Sequence, residues 1–417
     1  MGTRDAPVKP FVSTEERSGD LNVTPRPKRR IVIVVSSIAA GGAERVAATM
    51  ANSWLNGGHA VWLVSTYLGA GTAAYKLNPS VSVIPLSEVM HERSSSLWPT
   101  TLRKVRALRG LLATIKPDVI ISFLTNVNVL AIIAHARSGV PLIISERTDP
   151  LHDRELPRAL RMARALCYRF ADALVVQSST AAHRYGARLR GIARMAVIHN
   201  PLPAELAASP SRACQDREGG CVIAMGRLTP EKGYAKLIEA FAVAFEDDKT
   251  WQLRIWGEGP LRNDLQKLVE RLQLIERVQL CGLTDQPWTA LAAGQIFVLS
   301  SEYEGFPNAM LEAMALGLPC IAFDCPSGPH ELAAGGKSAI LVSPGDVASL
   351  SSALRELAQN RERRKALGAC AAAFVRSQFA EAAVMGDWDA LVEEVISHRD
   401  GKDEQVGSSA PSPVTRR

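Results

Sequence analysis

The sequence predicts an α/β protein of two domains, each a parallel sheet covered by helices. Three observations point there. A chain of 417 residues is too long to share one hydrophobic core. Short apolar runs alternate with helical patterns along it, as expected of βαβ units whose strands are buried on both faces. A loose stretch (Pro203, Ala207-Ala-Ser-Pro210, Arg217-Glu-Gly-Gly220) then divides the chain near its middle. The resulting plan is a tail over 1–28, a first domain over 29–202, a linker over 203–220 and a second domain over 221–377. A helix over 378–397 crosses back to the first domain, and a tail covers 398–417. Both tails are rich in Pro, Ser and charge with few large apolar residues, so disorder is expected there.

The elements follow in order. Ile31–Val35 reads as a strand, Gly41-Gly42 as a turn, Ala43–Leu55 as a helix stopped by Gly57-Gly58, and Val61–Thr66 as the next strand. Such a β-α-β opening suits a dinucleotide. The G-x-G-x-x-G spacing is absent, however, and no acidic residue ends the second strand, so a nicotinamide cofactor is disfavoured. In the second domain, strand Cys221–Met225 leads through Gly226-Arg-Leu-Thr-Pro-Glu-Lys-Gly233 into a helical run from Tyr234 to Phe245. Arg227 and Lys232 thus share one loop between a strand end and a helix start. Arg offers a planar fork for two phosphate oxygens and Lys a mobile point charge. Two fixed cations would stabilise a diphosphate leaving group as its charge develops. A basic surface turn is the plainer reading.

Strand Gln295–Ser300 then passes through Ser301-Glu-Tyr-Glu-Gly-Phe-Pro-Asn308 into a helix over Asn308–Leu316, with Pro307 suited to its first position and Gly317 to its cap. Free N–H groups at that helix start form an anion site. The carboxylates Glu304 and Glu312 beside it suit a hydroxyl-rich neutral group held next to a phosphate, which describes a nucleotide sugar. Two surface Glu flanking a helix start is the bland alternative.

Ser301–Glu312, followed by Glu312-Ala-Met-Ala-Leu-Gly-Leu-Pro319, resembles the E-x7-E signature of retaining glycosyltransferases of family 4. Gly226–Gly233 resembles that family's G-R-L-x-x-x-K-G motif, and Gly41-Gly-Ala-Glu-Arg45 its first loop. The resemblance spans residues 30–397. It implies the GT-B fold: two Rossmann-like parallel-sheet domains facing each other across a cleft, the second holding the donor and the first the acceptor. Carried over, Glu304 contacts the donor sugar and Glu312 the ribose. Arg227 and Lys232 hold the diphosphate, so Glu304, Arg227 and Lys232 form the catalytic set. Gly305, Phe306, Pro307 and Asn308 line the donor loop. Gly41 and Gly42 let backbone approach phosphate and acceptor, while Glu44 and Arg45 are structural. Ile144-Ser-Glu-Arg-Thr-Asp-Pro150 and Phe323-Asp-Cys-Pro-Ser-Gly-Pro-His-Glu331 are similar to the branch that builds bacterial surface polysaccharides and lipid-linked oligosaccharides, often from UDP-linked hexoses or N-acetylhexosamines. Where many members carry a His facing the donor, this chain has Ser145-Glu146-Arg147, which assigns Glu146 and Arg147 to the acceptor side. Where the Ser-Gly-Pro phrase commonly continues with Arg-Glu, this chain has His330-Glu331.

Net charge is +6, and it is unevenly spread. Residues 31–205 carry 19 Lys/Arg against 10 Asp/Glu, whereas residues 206–397 carry 18 against 25. Opposite signs on two halves imply different partners. The first-domain excess gathers in Arg103-Lys-Val-Arg-Ala-Leu-Arg109 and in a helix-like run from Arg154 to Arg169, where Arg158, Arg161 and Arg164 mix with Leu, Met and Tyr. That mixture suits an anionic membrane surface and equally a solvated helix face. Nucleic acid is disfavoured, because no aromatic-rich basic stripe or zinc spacing appears. Pro27-Lys-Arg-Arg30 before an apolar run mimics a signal peptide, but five apolar residues fit a first strand better. No run approaches the length of a membrane span. Seven cysteines without a Cys-x-x-Cys pair read as reduced thiols, with Cys320 and Cys325 packing around a strand. Asp387-Trp-Asp389 is the sole Asp-x-Asp and lies in a late helical run, so no metal ligand is assigned and no cofactor is expected.

The sequence reading is therefore a cytoplasmic, metal-independent retaining hexosyltransferase, peripheral at the inner leaflet if its acceptor is polyprenyl-linked rather than a free oligosaccharide. Retention without an evident nucleophile implies front-face attack. A sugar-nucleotide epimerase of the same fold and a catalytically silent sugar-binding scaffold are the rivals.

Overall fold

The computed structural model describes residues 27–39, 41–66, 75–91, 100–150, 156–208 and 219–407. Most of the expected N-terminal tail, half of the C-terminal one and more than half of the linker lie outside them. The chain divides into two compact units, residues 1–198 with 385–417, and residues 199–384.

The first unit holds a seven-stranded sheet: β1 (Arg30–Val35), β2 (Ala60–Ser65), β3 (Ser82–Pro85), β4 (Val119–Phe123), β5 (Leu142–Ser145), β6 (Ala173–Val176) and β7 (Met195–Val197). The second holds six strands: β8 (Cys221–Met225), β9 (Gln252–Trp256), β10 (Val278–Gly282), β11 (Ile296–Leu299), β12 (Cys320–Phe323) and β13 (Ile340–Val342). Every pairing is parallel. Strands such as Ile31–Val35 and Ile296–Leu299 are runs of Val, Ile, Leu and Phe buried along their length, because helices cover both faces of the sheet.

The strand orders are β3-β2-β1-β4-β5-β6-β7 and β10-β9-β8-β11-β12-β13. Each chain starts mid-sheet, winds outward to one edge, then returns and winds to the other. The two central neighbours, β1 with β4 and β8 with β11, therefore send their following loops in opposite directions. The crevice left at the strands' C-terminal ends is where doubly wound folds receive ligands.

Two boundaries differ from the sequence reading. The passage between units falls at Ile198, not after Leu202. Leu202 is fully buried in the second unit's core with Leu206, and its N–H donates to the Phe379 carbonyl (2.7 Å). The Pro and Ala around these two leucines disguise them as linker. The last helix, Glu381–Gly407, also outruns the expected end at 397.

From Met385 that helix belongs to the first unit. Trp388 is fully buried there, edge-on to Trp54 (6.4 Å) and beside Phe123 (6.3 Å). The Trp54 indole N–H donates to Asp389 (2.7 Å), while Arg29–Glu393 (2.8 Å) and Arg399–Asp172 (3.1 Å) pair along its length. Asp389 of the Asp-x-Asp phrase is thus taken by a tryptophan. Among the described residues no helix is long and apolar enough to cross a membrane.

Candidate functional site

The two loops singled out in the sequence follow β8 and β11, the strands that meet at the second unit's switch point. Backbone and side chains join them. Ser300 Oγ donates to the Lys232 carbonyl (2.8 Å), and the Glu302 N–H donates to the Glu231 carbonyl (2.8 Å). Gly233 makes this approach possible: it adopts a left-handed φ of 63°, and a Cβ there would lie 2.1 Å from the Ser300 carbonyl oxygen. Only glycine meets both conditions.

Across this seam, Lys232 Nζ lies 2.7 Å from Glu304 Oε1, and Ser301 Oγ donates to the same oxygen (2.6 Å). Glu304 is only 9 % exposed. A carboxylate so far from water needs the charge and hydrogen bonds around it, and these hold it in one orientation. Tyr234, at the start of the helix after Gly233, is buried and has its phenol pushed up by desolvation, with Glu304 and Glu231 adding to the effect. Burial likewise pushes the Cys325 thiol up to about 12, Glu304 reinforcing and Lys232 opposing the shift. That thiol stays protonated, in keeping with a packing role.

The helix Asn308–Ala315 begins at Pro307; of its first N–H groups, that of Asn308 donates to the Phe306 carbonyl (3.0 Å) and that of Met310 to the Pro307 carbonyl (3.0 Å), so they are not the free anion site expected from the sequence. The helix closes at Gly317 (φ 84°), where the Leu318 N–H donates to the Ala313 carbonyl (3.0 Å) in the reverse turn that ends many helices. Phe306 is buried against His199 (5.7 Å) and Phe379 (5.9 Å), which anchors the loop. Glu312 is buried one turn into the helix and accepts from the Trp288 indole N–H (3.2 Å). Arg227 differs: its side chain is 77 % exposed and reaches Glu231 at 3.4 Å. Such a surface pair holds it weakly, leaving it able to turn to an anionic ligand.

Arg227, Lys232, Glu304, Gly305, Phe306, Pro307, Asn308 and Glu312 thus gather at one sheet end. Three partners escaped the sequence reading. Ser301 supports Glu304 from within the same phrase, and Trp288 orients Glu312. Asn200 donates its amide to Asn308 Oδ1 (2.8 Å). The last two come from segments with no motif of their own, and only the fold brings them in.

In the first unit, Gly41 and Gly42 sit where β1 hands over to the helix Gly42–Asn56. Glu44 accepts from Ser36 (2.9 Å), and the Gly41 N–H donates to the Tyr75 hydroxyl (3.1 Å). Glu146 and Arg147 follow β5 and are buried. Glu146 accepts from Thr125 (2.8 Å) and from Tyr168. Arg147 lies over the Phe123 ring (4.6 Å), and burial lowers its pKa to about 9 against the pull of Glu146. Both side chains are thus engaged by neighbours within the first unit.

Two family models match the chain in tandem: a "Glycosyl transferase 4-like domain" over residues 41–201 and "Glycosyl transferases group 1" over residues 215–373. The chain belongs to the family 4-like glycosyltransferases. Among curated relatives, an exopolysaccharide phosphotransferase of Streptomyces coelicolor is 33% identical over 50% of this chain, which spans only 21% of that protein. A Campylobacter jejuni alpha-1,4-N-acetyl-D-galactosaminyltransferase, named for a diNAcBac-PP-undecaprenol glycan, is 27% identical over 81% of this chain and 91% of its own length. The solved structure of Anabaena HepE in complex with UDP superposes with a TM-score of 0.70 at 19% identity, over 88% of this chain and 100% of that one. That likeness establishes the GT-B architecture of this glycosyltransferase: two Rossmann-like sheets.

Proposed function

We propose that this glycosyltransferase moves a hexosyl or N-acetylhexosaminyl unit from a UDP-sugar to a lipid-linked sugar acceptor, with retention of configuration and without a metal ion. The observation that carries the reading is the Lys232–Glu304–Ser301 cluster at the second unit's switch point, with Arg227 and the Asn308 helix start beside it. A diphosphate beside that helix start meets its positive dipole end, Lys232 and Arg227, and these cations neutralise the charge that grows as the glycosidic bond breaks. Glu304, already fixed, accepts from sugar hydroxyls as the ring becomes cationic. Glu312, held by Trp288, accepts from the ribose. The departing phosphate takes the acceptor proton, so attack and departure occur on one face. UDP in the HepE complex and the PP-undecaprenol substrate in the Campylobacter relative's name support the donor and acceptor classes. A lipid-linked acceptor built from cytosolic nucleotide sugars places the enzyme on the cytoplasmic side of the membrane.

The test is a thermal-shift screen of UDP-, GDP- and ADP-sugars, then turnover on polyprenyl-diphosphate oligosaccharides with the product anomer read by NMR. A UDP-selective shift and a retained anomeric configuration are expected. An inverted product would overturn the mechanism. Epimer formation from donor alone would replace transfer by epimerisation.

A further inference from the structure

The helix Arg158–Cys167 and the single 3-10 turn Tyr168–Phe170 show two unlike faces. Leu160, Ala163, Cys167 and Tyr168 pack into the first unit's core. Arg164 goes inward with them, buried, its guanidinium 5.5 Å over the Tyr185 ring. That corrects its grouping with Arg158 and Arg161 as a surface charge. The outer face carries Met162, Leu166 and Phe170, 66 %, 59 % and 58 % exposed. At four-residue spacing they make one stripe along the helix. Arg158 and Arg161 are exposed beside its first turn, and Arg169 is exposed at its end with its guanidinium 4.9 Å over the Phe170 ring. No acidic residue occurs between Leu156 and Ala171.

Single exposed apolar residues are ordinary on a soluble surface, but three in register on one short helix, framed by permanent cations, are not. We infer that this face is a docking surface for an anionic lipid bilayer. Its charge decides the occupant: arginines stay protonated at any physiological pH and pair with phosphate headgroups, while Met162, Leu166 and Phe170 enter the boundary of the acyl chains beneath them. The excess of Lys and Arg over residues 31–205, against the acidic excess over 206–397, biases the first unit toward such a surface. The inference is independent of the donor-site reading, since vesicle binding needs no turnover.

The test is cosedimentation of the full chain with vesicles of phosphatidylcholine alone or with phosphatidylglycerol, at low and at physiological salt. At low salt, partitioning into the anionic vesicles should exceed that into neutral ones by about tenfold or more, and the preference should shrink as salt rises. Arg158→Glu with Arg161→Glu should abolish the preference. Met162→Ser with Leu166→Ser and Phe170→Ser should weaken binding several-fold at every salt concentration. Both variants should keep the wild-type melting temperature and UDP-induced thermal shift, because the altered side chains are exposed and outside the donor site. Equal binding to both vesicle types, or variants that bind like the wild type, would overturn the proposal. So would a dimer in light scattering that Leu166→Asp splits, since the stripe would then be an interface between copies of this chain.

Discussion

The two units repeat one winding of strands, yet their switch points differ in chemistry. Beside β1 and β4 stand a glycine turn and a glutamate, Glu44, already satisfied by Ser36. Beside β8 and β11 stand a half-buried lysine paired with a buried glutamate, a second buried carboxylate and an exposed arginine. The scaffold provides the same crevice twice, and the loops give the two different chemistry. The fold thus says where a ligand can sit, while Lys232, Glu304 and Glu312 say what kind it is.

The sharpest way to break this contrast is to remove Glu304. Glu304→Ala takes away the carboxylate proposed to meet the sugar and leaves Lys232 and Ser301 without their shared partner. Turnover should fall on the order of 10²-fold or more. The thermal melt should move far less, since the loop seam through Ser300 and Glu302 remains. Turnover within a factor of a few of wild type would remove Glu304 from the catalytic set.

Arg227→Ala and Lys232→Ala come next. Each removes a proposed charge-assisted contact to phosphate, and each should weaken UDP binding by calorimetry roughly 10- to 100-fold. The same substitution at Arg45, which belongs to the first unit's switch point, should leave UDP binding within about twofold. Wild-type turnover should persist in EDTA. Activity lost to chelation and restored by Mg²⁺ or Mn²⁺ would show that the two cations do not suffice.

A smaller effect separates backbone from charge. Gly233→Ala puts a Cβ 2.1 Å from the Ser300 carbonyl in a left-handed conformation, so the seam must open. A stability loss of about 1–3 kcal/mol is expected, with donor affinity falling several-fold as Lys232 and Glu304 move apart. Gly186, in the first unit's helix Ser179–Arg188, has nothing within 4 Å of the same added atom. Gly186→Ala should be neutral or stabilising by up to about 1 kcal/mol. Equal melting temperatures for the two variants would show that the seam is not tight.

Much of this was legible in the chain. Parallel strands announce themselves as short apolar runs, and Arg227, Lys232, Glu304 and Glu312 stand in contiguous phrases, so a resemblance between phrases, rather than spacing alone, could single them out. What stayed hidden depends on contacts between distant segments. Leu202 and Leu206 lay among prolines and alanines and passed for linker. Arg164 looked like a third surface cation because periodicity does not show that Tyr185 waits beneath it. Glu146 and Arg147, assigned to the acceptor side by resemblance, are buried, which two charged residues just after a strand do not announce. Trp288 gave no signal, for a lone tryptophan in a short helix has many possible uses.

Trp288 supplies the finest test. Its indole N–H is one of the groups that hold Glu312, at 3.2 Å, while the carboxylate is the proposed ribose contact. Trp288→Phe keeps most of the ring volume and removes that donor. One hydrogen bond to a charged group contributes about 1.5–3 kcal/mol at most, and Glu312 keeps its place on the helix, so KM for the donor should rise about 3- to 10-fold with kcat nearly unchanged. A 2′,3′-dideoxyribose UDP-sugar should carry a similar penalty on the wild-type enzyme, because Glu312 then lacks its hydroxyls. Combined with Trp288→Phe, that penalty should shrink, as two changes acting through one carboxylate are not additive. Full additivity would mean that Trp288 does not act through Glu312, and that this end of the site is held by packing alone.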